Sequence, residues 1–171
     1  KAAMHEFGPQ VFQSVEKLPD GSYTVTMRDG FRENISPGEL EAAATATHYA
    51  GGSSETKSLA TLSYASMAKR AFAMGHEGAQ TYGQALLSLN DGEVAGNVPL
   101  YLGLEHHVDF IRVDQVREHD HAVVSGNGHA YFVEKQGDQY IGDKWGDPTV
   151  YQGRVHIDEG ARQDHAYILT P

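Results

Sequence analysis

Hydrophobic and polar residues alternate from Ser22 to Arg28, which predicts a strand with one buried face. Asp29–Gly30 then predicts a tight turn into a second strand from Phe31 to Ile35. The hydrophobic spacing from Met4 to Val15 is helical instead, although Gly8–Pro9 should break this helix into two pieces. The chain is therefore expected to open with short helices that lead into a hairpin.

Three more helices are predicted further along, where the hydrophobic spacing again suits a helix. The first should begin at Ser36-Pro-Gly-Glu39, a capping box with Pro at the first helical position, and end at Gly51–Gly52. The longest is expected from about Lys57 to Met74, with a wide hydrophobic arc that predicts packing against a sheet. Thr81 to Leu89 predicts a third, shorter helix.

Strand character dominates the second half of the chain. Strands are expected at Ala122–Ser125, Val150–Ile157 and Ala166–Thr170. Leu100–Leu104 and Val108–Val113 are apolar enough for either strands or a short helix, and both interpretations stay open.

The stretch from Ser125 to Tyr151 carries the strongest candidate chemistry. A strand opens at His129, turns at Gln136-Gly-Asp138 and returns to deliver Asp143. Because a hairpin brings the far ends of its two strands side by side, we expect the imidazole and the carboxylate to lie close together. An acid that holds a His in one tautomer is the supporting half of a nucleophilic triad.

These residues resemble a known family. Gly128-His-Ala-Tyr-x-Val, followed by Asp143-x-Trp-Gly146, is similar to the C-terminal half of calpain-type, papain-fold cysteine peptidase domains, including bacterial domains of effectors and toxins. The resemblance implies an α+β papain-like fold over a single domain of residues 1–171. A helical N-terminal part would precede an antiparallel sheet that carries His129 and Asp143.

The resemblance also implies a role for each matching residue. His129 would be the general base, supported by Gly128, and Asp143 would orient it. Trp145 would shield their hydrogen bond from water. Asp147 competes with Asp143 for the orienting role, and both remain open. The family has Asn where this chain has Asp143, which leaves peptidase and acyl transferase as alternatives.

The nucleophile itself is missing, since the chain contains no Cys. The resemblance implies a Cys about five to ten residues upstream of Lys1, or its replacement at Ala2 or Ala3. An intact form would be a thiol hydrolase that attacks amide bonds through Cys, His129 and Asp143. This chain alone should be inactive in that reaction. A glutamine deamidase, a transglutaminase-type acyl transferase and an inactive papain-fold binding module are the alternatives.

Composition limits the partners. The formal net charge is -10 and the basic residues are scattered, so a track for nucleic-acid phosphates is not expected. No apolar run reaches membrane-spanning length, and we expect no membrane partner. The resemblance implies a protein substrate, no cofactor, and secretion or delivery by a bacterial secretion system. Oligomeric state stays open.

Ten His residues offer a rival interpretation, a metal-dependent enzyme. Residue types that bind metal ions occur in His106–His107 and in Glu118-His-Asp-His121. A His-x-His sequence on a strand would also point its two imidazoles to the same side. A cupin-type site would need a Glu shortly afterwards, where Val124-Ser-Gly126 stands instead. Solvated surface histidines are therefore the favoured interpretation, and no metal ligand is assigned. His165 is expected to be structural.

Overall fold

The computed structural model describes residues 1–47, 52–90, 95–126, 129–144, 147–152 and 165–171. At residues 95, 126, 129, 143–144, 147–152 and 165 the description covers the backbone only. The chain divides into two compact units. We call Phe7–His106 the helical unit, and Lys1–Glu6 together with His107–Pro171 the sheet unit.

The first helical stretch breaks where the sequence predicts. Helix α1 (Ala2–Phe7) is followed by a 3-10 turn at Gly8–Val11. The prediction of helix as far as Val15 is wrong, because Ser14–Lys17 forms strand β1. All residues of β1 are exposed, so this strand has no buried face that an alternating pattern could reveal.

Two more strands and a set of helices complete the helical unit. They are β2 (Tyr23–Thr26), β3 (Arg32–Ile35), α2 (Pro37–Thr47), α3 (Ser54–Ala73), α4 (Tyr82–Ser88) and α5 (Val98–Tyr101). The strands pair antiparallel in the order β1-β2-β3. Gly30, with φ of 85°, turns the chain between β2 and β3 and confirms the predicted hairpin.

The capping box at the start of α2 is confirmed. The Ser36 backbone N–H donates to Glu39 Oε2 at 2.9 Å, and the Glu39 N–H donates to Ser36 Oγ at 3.3 Å. Pro37 is the first residue of the helix. The longest predicted helix is also confirmed as α3, although it begins at Ser54, three residues before the predicted start at Lys57.

An antiparallel six-stranded sheet forms the larger part of the sheet unit. Its strands are β4 (Val108–Arg112), β5 (His121–Gly126), β6 (His129–Gln136), β7 (Gln139–Lys144), β8 (Asp147–Gln152) and β9 (His165–Leu169). Their order is β4-β9-β5-β6-β7-β8. The α+β class is thus confirmed, and of the two stretches left open, the first contributes to α5 and the second to β4.

One face of this sheet carries the hydrophobic core of the unit. Its members come from four strands and from the 3-10 helix Val113–Glu118, and they are Val116, Ala122, Val124, Tyr131, Val133, Tyr140, Ala166 and Ile168. The Tyr140 hydroxyl donates to the His119 carbonyl at 2.7 Å, which fastens β7 to the chain beyond the 3-10 helix. Because side chains alternate along a strand, His121, next to Ala122, faces the opposite side.

Candidate functional site

The predicted β6–β7 hairpin is confirmed. Gln136 pairs with Gln139, and Gly137, with φ of 63°, lies in the two-residue turn between them. Lys135 and Tyr140 form the next pair, so the strands run antiparallel from the turn onwards.

The backbone register also locates the two predicted triad residues. Gly142 pairs with Val133, and Asp143 follows one residue later, while His129 lies four residues before Val133 and pairs with Gly126 of β5. His129 is therefore about three residues, or about 10 Å, along the sheet from the position that the same register sets opposite Asp143. The register does not set the two backbones directly opposite each other.

The roles assigned to these residues remain predictions. The side chains of His129, Asp143 and Asp147 lie outside the described part of the chain, as do all atoms of Gly128 and Trp145. The contact between imidazole and carboxylate, and the shielding by the indole, are therefore untested.

A different cluster of ligand-type side chains lies in the sheet unit. His5, Glu6 and His121 each offer one ligand atom, and these three atoms lie within 4.8 Å of one another. His121 Nε2 is 3.6 Å from Glu6 Oε2, and the two imidazole rings have centroids 4.6 Å apart. Two nitrogens and a carboxylate oxygen thus lie close enough together for one metal ion to contact all three.

Local structure explains how these residues meet. His5 and Glu6 are neighbours in α1, where the His5 N–H donates to the Lys1 carbonyl at 2.9 Å. His121 is the first residue of β5, and the next side chain, Ala122, is fully buried in the core on the other face. The pleat of β5 therefore presents His121 to the residues of α1.

His121 is the most buried member of the cluster. Its side chain is 9% exposed, against 19% for Glu6 and 40% for His5. Its Nε2 is shielded from solvent and has no hydrogen-bond partner among the described residues. Since a buried polar atom without a partner costs roughly 1–3 kcal/mol, this nitrogen is an unusual feature that a ligand would explain.

The surroundings of His121 favour its neutral form. Burial lowers the pKa of His121, the adjacent His5 lowers it further, and Glu6 opposes both effects. Neutral imidazole is the form that coordinates metal ions. The lowered pKa of the most buried member of the cluster thus favours the protonation state that a metal ligand requires.

Two residues of β6 flank the cluster. Glu134 pairs with His121 across β5 and β6, and its Oε2 lies 3.7 Å from His5 Nε2. The Phe132 ring has its centroid 5.4 Å from that of His5 and 5.9 Å from that of His121. The cluster therefore has a carboxylate on one side and an aromatic ring beside both imidazoles.

The sequence identified only one member of this cluster. His121 belonged to the rival metal interpretation, but as a partner of His119, which follows the 3-10 helix and is absent from the cluster in the described part of the chain. His5 and Glu6 were missed. They stand next to each other but 115 or more positions before His121, so no local spacing links them to it.

No protein-family model, curated protein or solved structure matches the chain. Among the described residues, no helix combines the length and hydrophobicity that crossing a membrane requires. Evidence on function therefore comes from the geometry of the side chains.

Proposed function

We propose that the sheet unit binds a divalent transition-metal ion, best matched by Zn²⁺, through His5, Glu6 and His121. The observation that carries this proposal is the buried Nε2 of His121, which has no described hydrogen-bond partner and belongs to a group of three ligand atoms. A bound cation would give this nitrogen a partner that the described part of the chain does not supply.

The chemistry of the donor atoms favours zinc over magnesium or calcium. Two imidazoles and one carboxylate suit Zn²⁺ and its transition-metal neighbours, whereas Mg²⁺ and Ca²⁺ prefer oxygen ligands. Ligand atoms around a tetrahedral Zn²⁺ lie about 3.3 Å apart. The side chains, whose ligand atoms lie within 4.8 Å, would need only a small inward movement to reach this spacing.

Titration of the purified chain with Zn²⁺ and Co²⁺ tests the site. We expect one ion per chain by calorimetry and elemental analysis, and visible Co²⁺ absorption of the intensity typical of four-coordinate sites. His121→Ala should weaken binding by at least about 100-fold, because it removes one of three ligands. His5→Ala, at an exposed side chain, should act similarly without disturbing the fold.

His119→Ala is the matched control, because it removes a nearby imidazole that is not a member of the cluster. We expect this variant to bind the ion as the unchanged chain does. The proposal is wrong if the chain binds no ion at micromolar concentration, or if His119→Ala weakens binding as much as His5→Ala.

A second candidate function is the thiol hydrolase with a papain-like fold. The observation that favours it is that His129 and Asp143 lie on adjacent antiparallel strands, β6 and β7, even though the register offsets their backbones by about three residues. Since these 171 residues include no Cys, the nucleophile would have to come from a longer natural form of the protein. Peptidase, glutamine deamidase and transglutaminase-type activities are all within reach of such a triad.

Labelling with an iodoacetamide probe near neutral pH tests this second candidate on the longest natural form. Fast labelling of one Cys, slowed sharply by His129→Ala, would support an activated thiolate. A Cys that reacts equally in both proteins, or the absence of any reactive Cys, would eliminate the thiol enzyme and leave a binding module.

A further inference from the structure

Glu134 stands beside the His5–Glu6–His121 cluster without being one of its members. Gln136 Nε2 donates to Glu134 Oε1 at 2.7 Å, while Oε2 lies 3.7 Å from His5 Nε2. One carboxylate oxygen is thus held by a neighbour on the same strand. The other oxygen faces the ring of a proposed ligand.

Side-chain exposure differs widely among the cluster residues and Glu134. The side chain of His121 is 9% exposed and that of Glu6 is 19%, whereas Glu134 and His5 reach 35% and 40%. Solvent therefore reaches the cluster from the side of His5 and Glu134. Three protein ligands leave a tetrahedral ion one open position, and such sites hold a water molecule there.

From this arrangement we infer that the metal-loaded centre is hydrolytic, with Glu134 as the base that takes a proton from the metal-bound water. This inference rests on the proposed function, because the reaction needs an ion held by His5, Glu6 and His121. A ligand set of two His and one Glu with a separate carboxylate beside it is suited to activating water.

The reaction balances with water as the only co-reactant. The ion makes the bound water more acidic, and Glu134 Oε2 accepts one of its protons. The resulting hydroxide forms a C–O bond to a carbonyl carbon, and the bond from that carbon to the leaving alkoxide or amine breaks. The leaving group then takes the proton from Glu134, which restores the carboxylate.

Charge and shape around the centre indicate the substrate class. Glu6 and Glu134 together cancel the charge of a divalent ion, so the loaded site would have no net positive charge to attract a phosphate anion, and the whole chain has a net charge of -10. The half-buried Phe132 ring offers an apolar surface beside both imidazoles. We therefore assign uncharged carboxylic esters or amides with an apolar or aromatic group as substrates.

Hydrolysis of p-nitrophenyl acetate by the Zn²⁺-loaded chain tests the inference, with bis(p-nitrophenyl) phosphate as the anionic comparison. We expect ester hydrolysis well above that of free Zn²⁺ at the same concentration, and weaker activity on the phosphate diester. Glu134→Gln should lower kcat by about 10²–10⁴-fold while the Kd for Zn²⁺ stays within a factor of about three. Asp109→Asn, at an exposed carboxylate of β4, is the matched control and should leave kcat unchanged.

Each other result would overturn a definite part of the inference. Stoichiometric Zn²⁺ binding without hydrolysis would refute the hydrolytic centre and leave the proposed metal site intact. If Glu134→Gln weakened Zn²⁺ binding as strongly as it lowered kcat, Glu134 would be a fourth ligand and not the base. Preference for the phosphate diester would refute the substrate class. Failure to bind Zn²⁺ at all would refute the metal site itself.

Discussion

Glu33 is a buried carboxylate in the helical unit. The residue is 8% exposed, and neither of its carboxylate oxygens has a hydrogen-bond partner among the described residues. Burial raises the pKa of Glu33 to about 7, against the opposing influence of Ser66, Lys69 and Arg70. The folded chain therefore holds a proton on Glu33 that the unfolded chain releases at a lower pH.

This difference predicts a loss of stability as the pH rises. Below about pH 4.5 the carboxyl is protonated in both states, and between that pH and about 7 only the folded state keeps its proton. Stability should fall by up to about 3 kcal/mol across this window and then level off. Glu33→Gln should flatten the fall, so that the variant is more stable than the unchanged chain at pH 8. Urea unfolding at pH 5 and pH 8 measures both quantities.

Glu41→Gln is the matched control, since Glu41 is an exposed carboxylate of α2. We expect its urea midpoint to follow that of the unchanged chain at both pH values. If Glu33→Gln left the fall in stability between pH 5 and pH 8 unchanged, the pH argument would fail. An equal loss of stability at both pH values would show instead that the unpaired amide is costly.

At the scale of the element, the end of α5 depends on Gly103. The Gly103 N–H donates to the Leu100 carbonyl at 3.1 Å and the Leu104 N–H to the Pro99 carbonyl at 2.8 Å, which is a Schellman motif. Gly103 has φ of 70°, and a Cβ there would lie 2.7 Å from both Asp29 Oδ1 and the Cβ of Met27.

Gly103→Ala should therefore destabilise the chain by about 2–4 kcal/mol, since a left-handed backbone and a close contact act together. Gly30→Ala is the matched control. Gly30 has φ of 85°, but a Cβ there would meet nothing within 4 Å, so its cost should be about 1 kcal/mol. Equal destabilisation of the two variants by chemical denaturation would show that the contact with Asp29 and Met27 has no effect.

Elements that depend on neighbouring residues could be predicted from the sequence. The capping hydrogen bonds join Ser36 and Glu39, which are three residues apart. The turn at Gly137 joins two strands that are consecutive in the sequence. Both features therefore depend on residues close together in the chain. Strand β1 could not be predicted, because every one of its side chains is exposed and its place depends on pairing with β2. Caps and turns could thus be predicted from neighbouring residues, whereas the pairing of distant segments could not be.

At the scale of the whole molecule, the proposed metal ligands join distant parts of the chain. Glu6 and His121 are 115 positions apart, so the unfolded chain does not hold the ligand set together. An ion that binds only the folded state stabilises it, by about 2.7 kcal/mol when its free concentration is 100 times its Kd.

We therefore expect Zn²⁺ at that concentration to raise the thermal midpoint of the unchanged chain by roughly 5–10 °C. Calorimetry or circular dichroism would measure the shift, which His5→Ala should abolish. Mg²⁺ at the same concentration serves as the ionic control and should have little effect, because two of the three ligands are imidazoles. A similar shift with Mg²⁺, or in His5→Ala, would place the stabilising ion elsewhere.

The same distance explains why the cluster was only partly predicted. His121 drew notice because it lies in a run of ligand-type residues, whereas His5 and Glu6 stand among unremarkable neighbours at the other end of the sequence. The sequence shows that these residues can bind a metal ion, but only folding brings their ligand atoms within 4.8 Å of one another.

The strand order of the sheet unit has a consequence for how it folds. Strands β5 to β8 follow one another in sequence and in space, so each can pair by closing a short turn. Strand β9 instead lies between β4 and β5 in the sheet. In the sequence, β6, β7 and β8 separate β9 from both of these partners. We therefore expect the four-stranded meander to form quickly, and the insertion of β9 to be the slow step that unites β4 with the rest.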